Sequence, residues 1–133
     1  MLEGSCHCGA VRWRFHGTPE SATACNCSIC RRYGTLWAYD YDGEGIETQT
    51  EPGALARYSW GPRHIDFCFC ARCGCVSHWR GRAPDGDGRT RIAVNLRLAE
   101  PETVAAIPLQ QFDGLVSFDD LPRDGRCVAD LWF

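Results

Sequence analysis

Ile65-Asp66-Phe67-Cys68-Phe69-Cys70-Ala71-Arg72-Cys73-Gly74 reads as a strand that runs into a metal-binding turn. Ile65, Phe67 and Phe69 alternate with His64, Asp66, Cys68 and Cys70, the period-two pattern of a strand, so the strand delivers Cys70 at its end. The spacing Cys70-x-x-Cys73-Gly74 is that of a knuckle. Its backbone turns sharply so that N–H groups face the sulfurs, and glycine tolerates the positive φ that this requires.

A second glycine-ended pair, Cys6-His7-Cys8-Gly9, stands near the N-terminus. Together the two pairs supply four thiolates, Cys6, Cys8, Cys70 and Cys73, the number a closed tetrahedral site takes. Joining them closes a loop of about sixty residues, whose entropic cost grows only logarithmically with length. A structural zinc returns roughly 10–16 kcal/mol of apparent binding energy, which exceeds that cost. Cys68 and Cys75 offer alternative pairs, and strand periodicity places Cys68 on the face of Cys70. The knuckle spacing favours Cys70 and Cys73, with Cys68 and Cys75 as small semi-buried residues beside the site.

Cys25-Asn26-Cys27-Ser28-Ile29-Cys30 places three more thiols within six residues and no fourth ligand nearby. A site of Cys25, Cys27 and Cys30 with one position open is the pattern of a catalytic, labile zinc, where an incoming thiol is deprotonated on binding. Arg31 and Arg32 follow at once and offer charge for a substrate carboxylate. The same trio also fits a closed site completed by His7, His16, His64 or His78, or a metal-free redox cluster.

The rest of the chain sets limits on function. It has 133 residues, enough for one domain (1–133), with 44% hydrophobic and 23% charged residues and a net charge of −3. That balance opposes sequence-independent nucleic-acid binding, which needs a basic face. No apolar run reaches the length of a membrane span, and Met1-Leu2-Glu3-Gly4 has no secretory character, so the reading is cytoplasmic, with reduced thiols. All 14 basic residues are arginine, so no lysine is present to form a Schiff base.

Strand signals dominate. Val11, Trp13 and Phe15 alternate with arginines; Thr35–Tyr41, Leu55–Tyr58, Val76–Trp79 and Arg91–Arg97 give further strands, and Gly81–Arg89 reads as a loop. Helix is expected only over Glu100–Val104, with Pro101 in its first turn, and as one turn over Ser28–Arg32. The fold class is mostly β, with small sheets pinned together at a metal.

Gly4-Ser5-Cys6-His7-Cys8-Gly9-Ala10-Val11, Cys25-Asn26-Cys27-Ser28-Ile29-Cys30-Arg31-Arg32 and Phe69-Cys70-Ala71-Arg72-Cys73-Gly74 resemble, in order and spacing, the glutathione-dependent formaldehyde-activating enzyme family. The likeness runs from Gly4 to about Asn95. It implies a β-tent fold of small twisted antiparallel sheets, seen also in zinc-type methionine sulfoxide reductases and Rab-binding zinc proteins. It further implies a structural zinc at Cys6, Cys8, Cys70 and Cys73, and a catalytic zinc at Cys25, Cys27 and Cys30. The activity implied is that of a carbon–sulfur lyase, in which glutathione or a similar thiol adds to formaldehyde or another aldehyde to give an S-hydroxymethyl adduct. The alternative is a non-catalytic zinc module or thiol carrier, and a redox role for Cys127 is a third reading. Asn26 stands where the family often has His and cannot titrate, and Cys75 stands where Ser or Thr is common. Arg63 is a further candidate, with Arg31 and Arg32, to recognise a carboxylate, and Trp37 and Trp60 are candidates to wall the pocket.

Overall fold

A computed structural model describes residues 1–132 of the chain. Eleven strands run in chain order as β1 (Leu2–Ser5), β2 (Val11–Phe15), β3 (Ala22–Cys25), β4 (Trp37–Tyr41), β5 (Ile46–Thr50), β6 (Leu55–Tyr58), β7 (Ile65–Cys70), β8 (Val76–Gly81), β9 (Arg91–Asn95), β10 (Leu109–Asp113) and β11 (Asp119–Asp120). Helix is limited to single turns: α1 (Cys30–Tyr33), α2 (Pro101–Val104), α3 (Ala129–Trp132) and a 3-10 turn at Leu96–Leu98. The mostly β expectation therefore stands, and each strand read from the sequence is present within a residue or two.

The strands form a three-stranded sheet, β1-β2-β5, and an eight-stranded sheet, β11-β10-β3-β4-β9-β8-β7-β6. The small sheet is antiparallel throughout, and the large one is antiparallel apart from the parallel pair of β3 with β10. A long crossover makes this possible: β10 arrives from far along the chain, free of the hairpin constraint that forces antiparallel neighbours.

The large sheet separates two apolar layers by strand alternation. Ala38 of β4 and Ile92 and Val94 of β9 face the small sheet, where Trp13, Phe15 and Ile46 complete the main core. Trp37, Ala93 and Phe67, from β4, β9 and β7, face the other way and pack under Cys30 and Tyr33, with Trp79 of β8 beside them. Cysteine-rich turns cap both layers: Cys6 and Cys70 pack with Val11 and Ala54 beside the small sheet, and Cys25, Cys27 and Cys30 lie on the second layer.

α1 is too short to be stable alone and is held by its packing. Cys30 is its buried residue, and Gly34 closes it in the left-handed conformation with its N–H bonded to the Cys30 carbonyl. α2 begins with Pro101, as expected, and buries Val104. The Arg91–Arg97 strand stops at Asn95, whose side chain accepts the Arg97 N–H and turns the chain into the 3-10 segment.

Candidate metal centres

The sulfurs of Cys6, Cys8, Cys70 and Cys73 converge within 4.8 Å of one another. Cys8 Sγ lies 3.7 Å from Cys6 Sγ and 3.6 Å from Cys70 Sγ. A tetrahedron with Zn–S bonds of about 2.3 Å sets its sulfurs roughly 3.8 Å apart. The donor set therefore fits a structural zinc in both chemistry and spacing.

Backbone donors surround these sulfurs as a knuckle requires. The Val11 N–H points at Cys6 Sγ (3.3 Å), and those of Arg72 and Cys73 point at Cys70 Sγ (3.4 and 3.5 Å). Gly9 and Gly74 have φ of 85° and 81°, the conformation expected for both turns. Backbone N–H groups, that of Cys75 foremost, draw the Cys73 thiol down to about 5. Cys68 stays apart, although periodicity put it on the face of Cys70. The β7–β8 register shifts between Cys68 and Phe69, and the Cys68 thiol donates instead to the Asp66 carbonyl, 3.7 Å away. Cys75 packs beside the group without joining its donors.

The second group consists of Cys25, Cys27 and Cys30, again with sulfurs within 4.8 Å. Among the described residues, no histidine, aspartate, glutamate or further cysteine joins them. His16 instead meets Glu47 at 3.3 Å, and His78 is buried against the Ser77 hydroxyl at 3.1 Å. Cys25 ends β3, Cys27 follows in the turn, and Cys30 opens α1. The Cys27 N–H points at Cys25 Sγ and the Cys30 N–H at Cys27 Sγ, each at 3.4 Å. Trp37 is buried beneath, and its indole N–H donates to Cys30 Sγ at 3.3 Å. Donation from the Cys30 thiol, then from the N–H groups of Cys27 and Gly114, pulls the Cys25 thiol down to about 6, while the same contact and burial push Cys30 up. Such a trio is half-buried, anion-stabilising and thiophilic, a donor set that fits zinc with one position left for another ligand.

The β10–β11 turn makes contacts here that the sequence reading did not anticipate. β10 lies alongside β3 with Phe112 opposite Cys25. The next residues but one reach the knuckle itself. Asp113 accepts the Asn26 side-chain N–H at 3.0 Å and the N–H groups of Leu115, Val116 and Ser117 at 3.1–3.2 Å. The Ser117 hydroxyl adds another at 2.9 Å, and these donors hold the Asp113 carboxyl well below the usual carboxylate range. Asn26 in turn accepts the Leu115 N–H at 3.0 Å. The residue that stands where the family often has His thus ties two turns together. A signal was present in Phe112-Asp113-Gly114, an Asp-Gly turn, but nothing local connects it to Cys25.

The remaining candidates divide. Arg31 and Arg32 lie exposed on α1, and the Arg32 guanidinium donates to the Ser28 carbonyl at 2.7 Å. Helical spacing points Tyr33, rather than either arginine, back over the Cys30 face. Tyr33 packs there on Phe67, with ring centroids 5.6 Å apart. Trp60 is exposed, and Arg63 occupies a turn with φ of 58°. Cys127 donates to Asp130 at 3.5 Å, outside both groups.

A crystal structure of a Rhodobacter sphaeroides protein superposes with a TM-score of 0.62 at 26% identity, covering 81% of this chain and 99% of that one. A curated Halomonas elongata relative, named for glutathione-dependent formaldehyde activation, is 40% identical over 97% of this chain and 87% of its own length. Residues 1–106, which contain both cysteine groups, match the glutathione-dependent formaldehyde-activating enzyme family, and the protein belongs to that family.

Proposed function

We propose that the protein is a zinc-dependent carbon–sulfur lyase of the S-hydroxymethylglutathione synthase type, acting on adducts of glutathione or a similar thiol with formaldehyde. The observation that carries this reading is the group of three converging sulfurs, Cys25, Cys27 and Cys30, joined by no fourth ligand-bearing side chain among the described residues. Zinc bound there supplies a Lewis acid that keeps a substrate thiol deprotonated at neutral pH. Cys6, Cys8, Cys70 and Cys73 would hold a second, structural zinc that clasps the knuckles.

In the synthetic direction the thiol sulfur gives its electron pair to the aldehyde carbon. A C–S bond forms, the carbonyl π bond breaks, and the oxygen takes up the proton that the thiol released. No oxidant or reductant is needed. The chain's own residues keep the trio ready: Trp37 donates to Cys30, the Cys27 N–H and Cys30 N–H stabilise neighbouring thiolates, and the Asp113 turn closes one side.

The test is the rate of hemithioacetal formation from glutathione and formaldehyde, monitored together with zinc content. We expect about two zinc ions per chain, catalysis above the uncatalysed rate, and loss of catalysis and of one zinc in Cys27→Ser. A zinc-loaded wild type that leaves the background rate unchanged overturns the enzymatic reading in favour of a binding module.

A further inference from the structure

The second layer of the large sheet continues beyond the cysteine trio as an aromatic floor. Tyr39 of β4 pairs with Ala93 of β9, Ala93 with Trp79 of β8, and Trp79 with Phe67 of β7, so these four side chains share one face. Trp37, two residues before Tyr39, lies on that face directly under Cys30. Tyr39 and Trp79 lean together across the small Ala93, their ring centroids 5.9 Å apart. One row further on, Tyr41 pairs with Arg91. The Arg91 guanidinium carbon lies 5.9 Å from the Tyr39 ring centroid and 5.7 Å from that of Tyr41.

Arg91 is one of the seven arginines, of fourteen, that face no carboxylate among the described residues. Arg14, Arg72, Arg80, Arg82, Arg89, Arg123 and Arg126 each face a carboxylate. Arg12, Arg32 and Arg97 donate to backbone carbonyls. Arg57 projects from the opposite side of the sheet, since its cross-strand partner is Cys68. Arg31, exposed on α1, and Arg63, exposed in its turn, also face no carboxylate; of the strand-borne arginines without one, Arg91 is the cation on the sheet face that carries the trio. From the Trp37 row to the Arg91 row is two strand repeats, about 13 Å. In glutathione the sulfur is on the central residue, and about eight bonds, on the order of 10 Å when extended, separate it from the γ-glutamyl carboxylate; the long arginine side chain closes the difference.

We propose that Arg91 binds a carboxylate of the substrate, and that Tyr39 and Trp79 carry the substrate between this cation and the cysteine trio. The inference rests on the function proposed above and deepens it: the preferred thiol bears a carboxylate about 10 Å from its sulfur, the extended reach of a γ-glutamyl arm. Arg91 lies within cation–π range of both tyrosine rings, which do not neutralise it, while Arg89 stacks on Tyr41 at 3.5 Å.

Two measurements separate this inference from the reaction itself. One is the affinity of the zinc-loaded protein for S-methylglutathione, which has the carboxylates but no free thiol, read by calorimetry. The other is kcat/KM for glutathione relative to that for 2-mercaptoethanol, which has a thiol and no carboxylate. We expect Arg91→Gln to weaken S-methylglutathione binding about tenfold or more and to lower the glutathione-to-mercaptoethanol ratio by a similar factor, the loss typical of a charge-assisted contact. Arg91→Lys should restore part of both. If the wild type binds S-methylglutathione without turnover and Arg91→Gln weakens that binding, the recognition inference holds while the reaction fails. Unchanged binding in Arg91→Gln overturns the inference, as does a loss found only in Arg31→Gln or Arg32→Gln. A wild type that neither binds nor turns over the tripeptide overturns both readings.

Discussion

Gly114 passes so close to Cys25 that a β-carbon built on it would sit 2.7 Å from the Cys25 sulfur and 3.0 Å from the Cys27 β-carbon. The C-terminal hairpin therefore forms one wall of the cysteine trio, although it lies beyond the residues that match the family. Only a residue without a side chain lets the backbone approach this near.

Gly114→Ala should consequently cost about 1–3 kcal/mol, the usual range for overpacking, unless the hairpin moves away. Either response disturbs the trio and spares the other cysteine group. The expected result is zinc content falling from about two to about one per chain, with a lowered thermal midpoint. Full retention of both ions would show that the hairpin is not packed on the site.

Trp37→Phe keeps most of the apolar volume but removes the indole N–H that donates to Cys30. A hydrogen bond to a charged acceptor contributes about 1.5–3 kcal/mol, which corresponds to roughly 10- to 100-fold in affinity. Zinc competition with a chelator should show that weakening at one site per chain and an unchanged second site.

Asp113→Ala removes the common acceptor of Asn26, Leu115, Val116 and Ser117. Hydrogen exchange should quicken at the amides of Leu115, Val116 and Ser117, while the amides of β9 remain protected. Equal exchange in both proteins would mean that the turn is held by something other than this carboxylate. None of this is visible in the local sequence, because Asp113 lies 87 residues from Asn26. Helical turns, knuckles and strands were legible from spacing and alternation, since those depend on residues a few positions apart. β1, β3, β5, β10 and β11 were not; of these, Ala22-Thr23-Ala24-Cys25 and Leu109-Gln110-Gln111-Phe112-Asp113 carry weak strand character and are extended because they pair with each other.

His78 supplies a pH dependence of stability. Burial, with the charges of Arg80 and Arg57, holds its imidazole down to about 3, against about 6.5 for the unfolded chain. Between those values the unfolded chain binds a proton that the folded chain does not. Stability therefore falls as pH drops below 6.5, by up to about 1.4 kcal/mol per pH unit, and the loss is complete below about pH 3. His78→Gln cannot titrate. Its stability deficit relative to the wild type, measured by urea unfolding with excess zinc, should narrow by about 1 kcal/mol between pH 7.5 and pH 5.5. A deficit independent of pH would rule out a neutral buried imidazole.

What the amino-acid order determined by itself is the chemistry of the two donor sets. Cys6 and Cys8, Cys70 and Cys73, and Cys25, Cys27 and Cys30 are each close enough in the chain for local turns to aim their sulfurs together. The knuckle spacing also chose Cys70 over Cys68, but the setting of the trio needed the whole sheet. Trp37, Asp113 and Gly114 come to it from two separate strands and a turn, brought in by backbone pairing and by the burial of one sheet face against another. Such pairing is set by the summed packing of remote segments, and no spacing within any one of them records it.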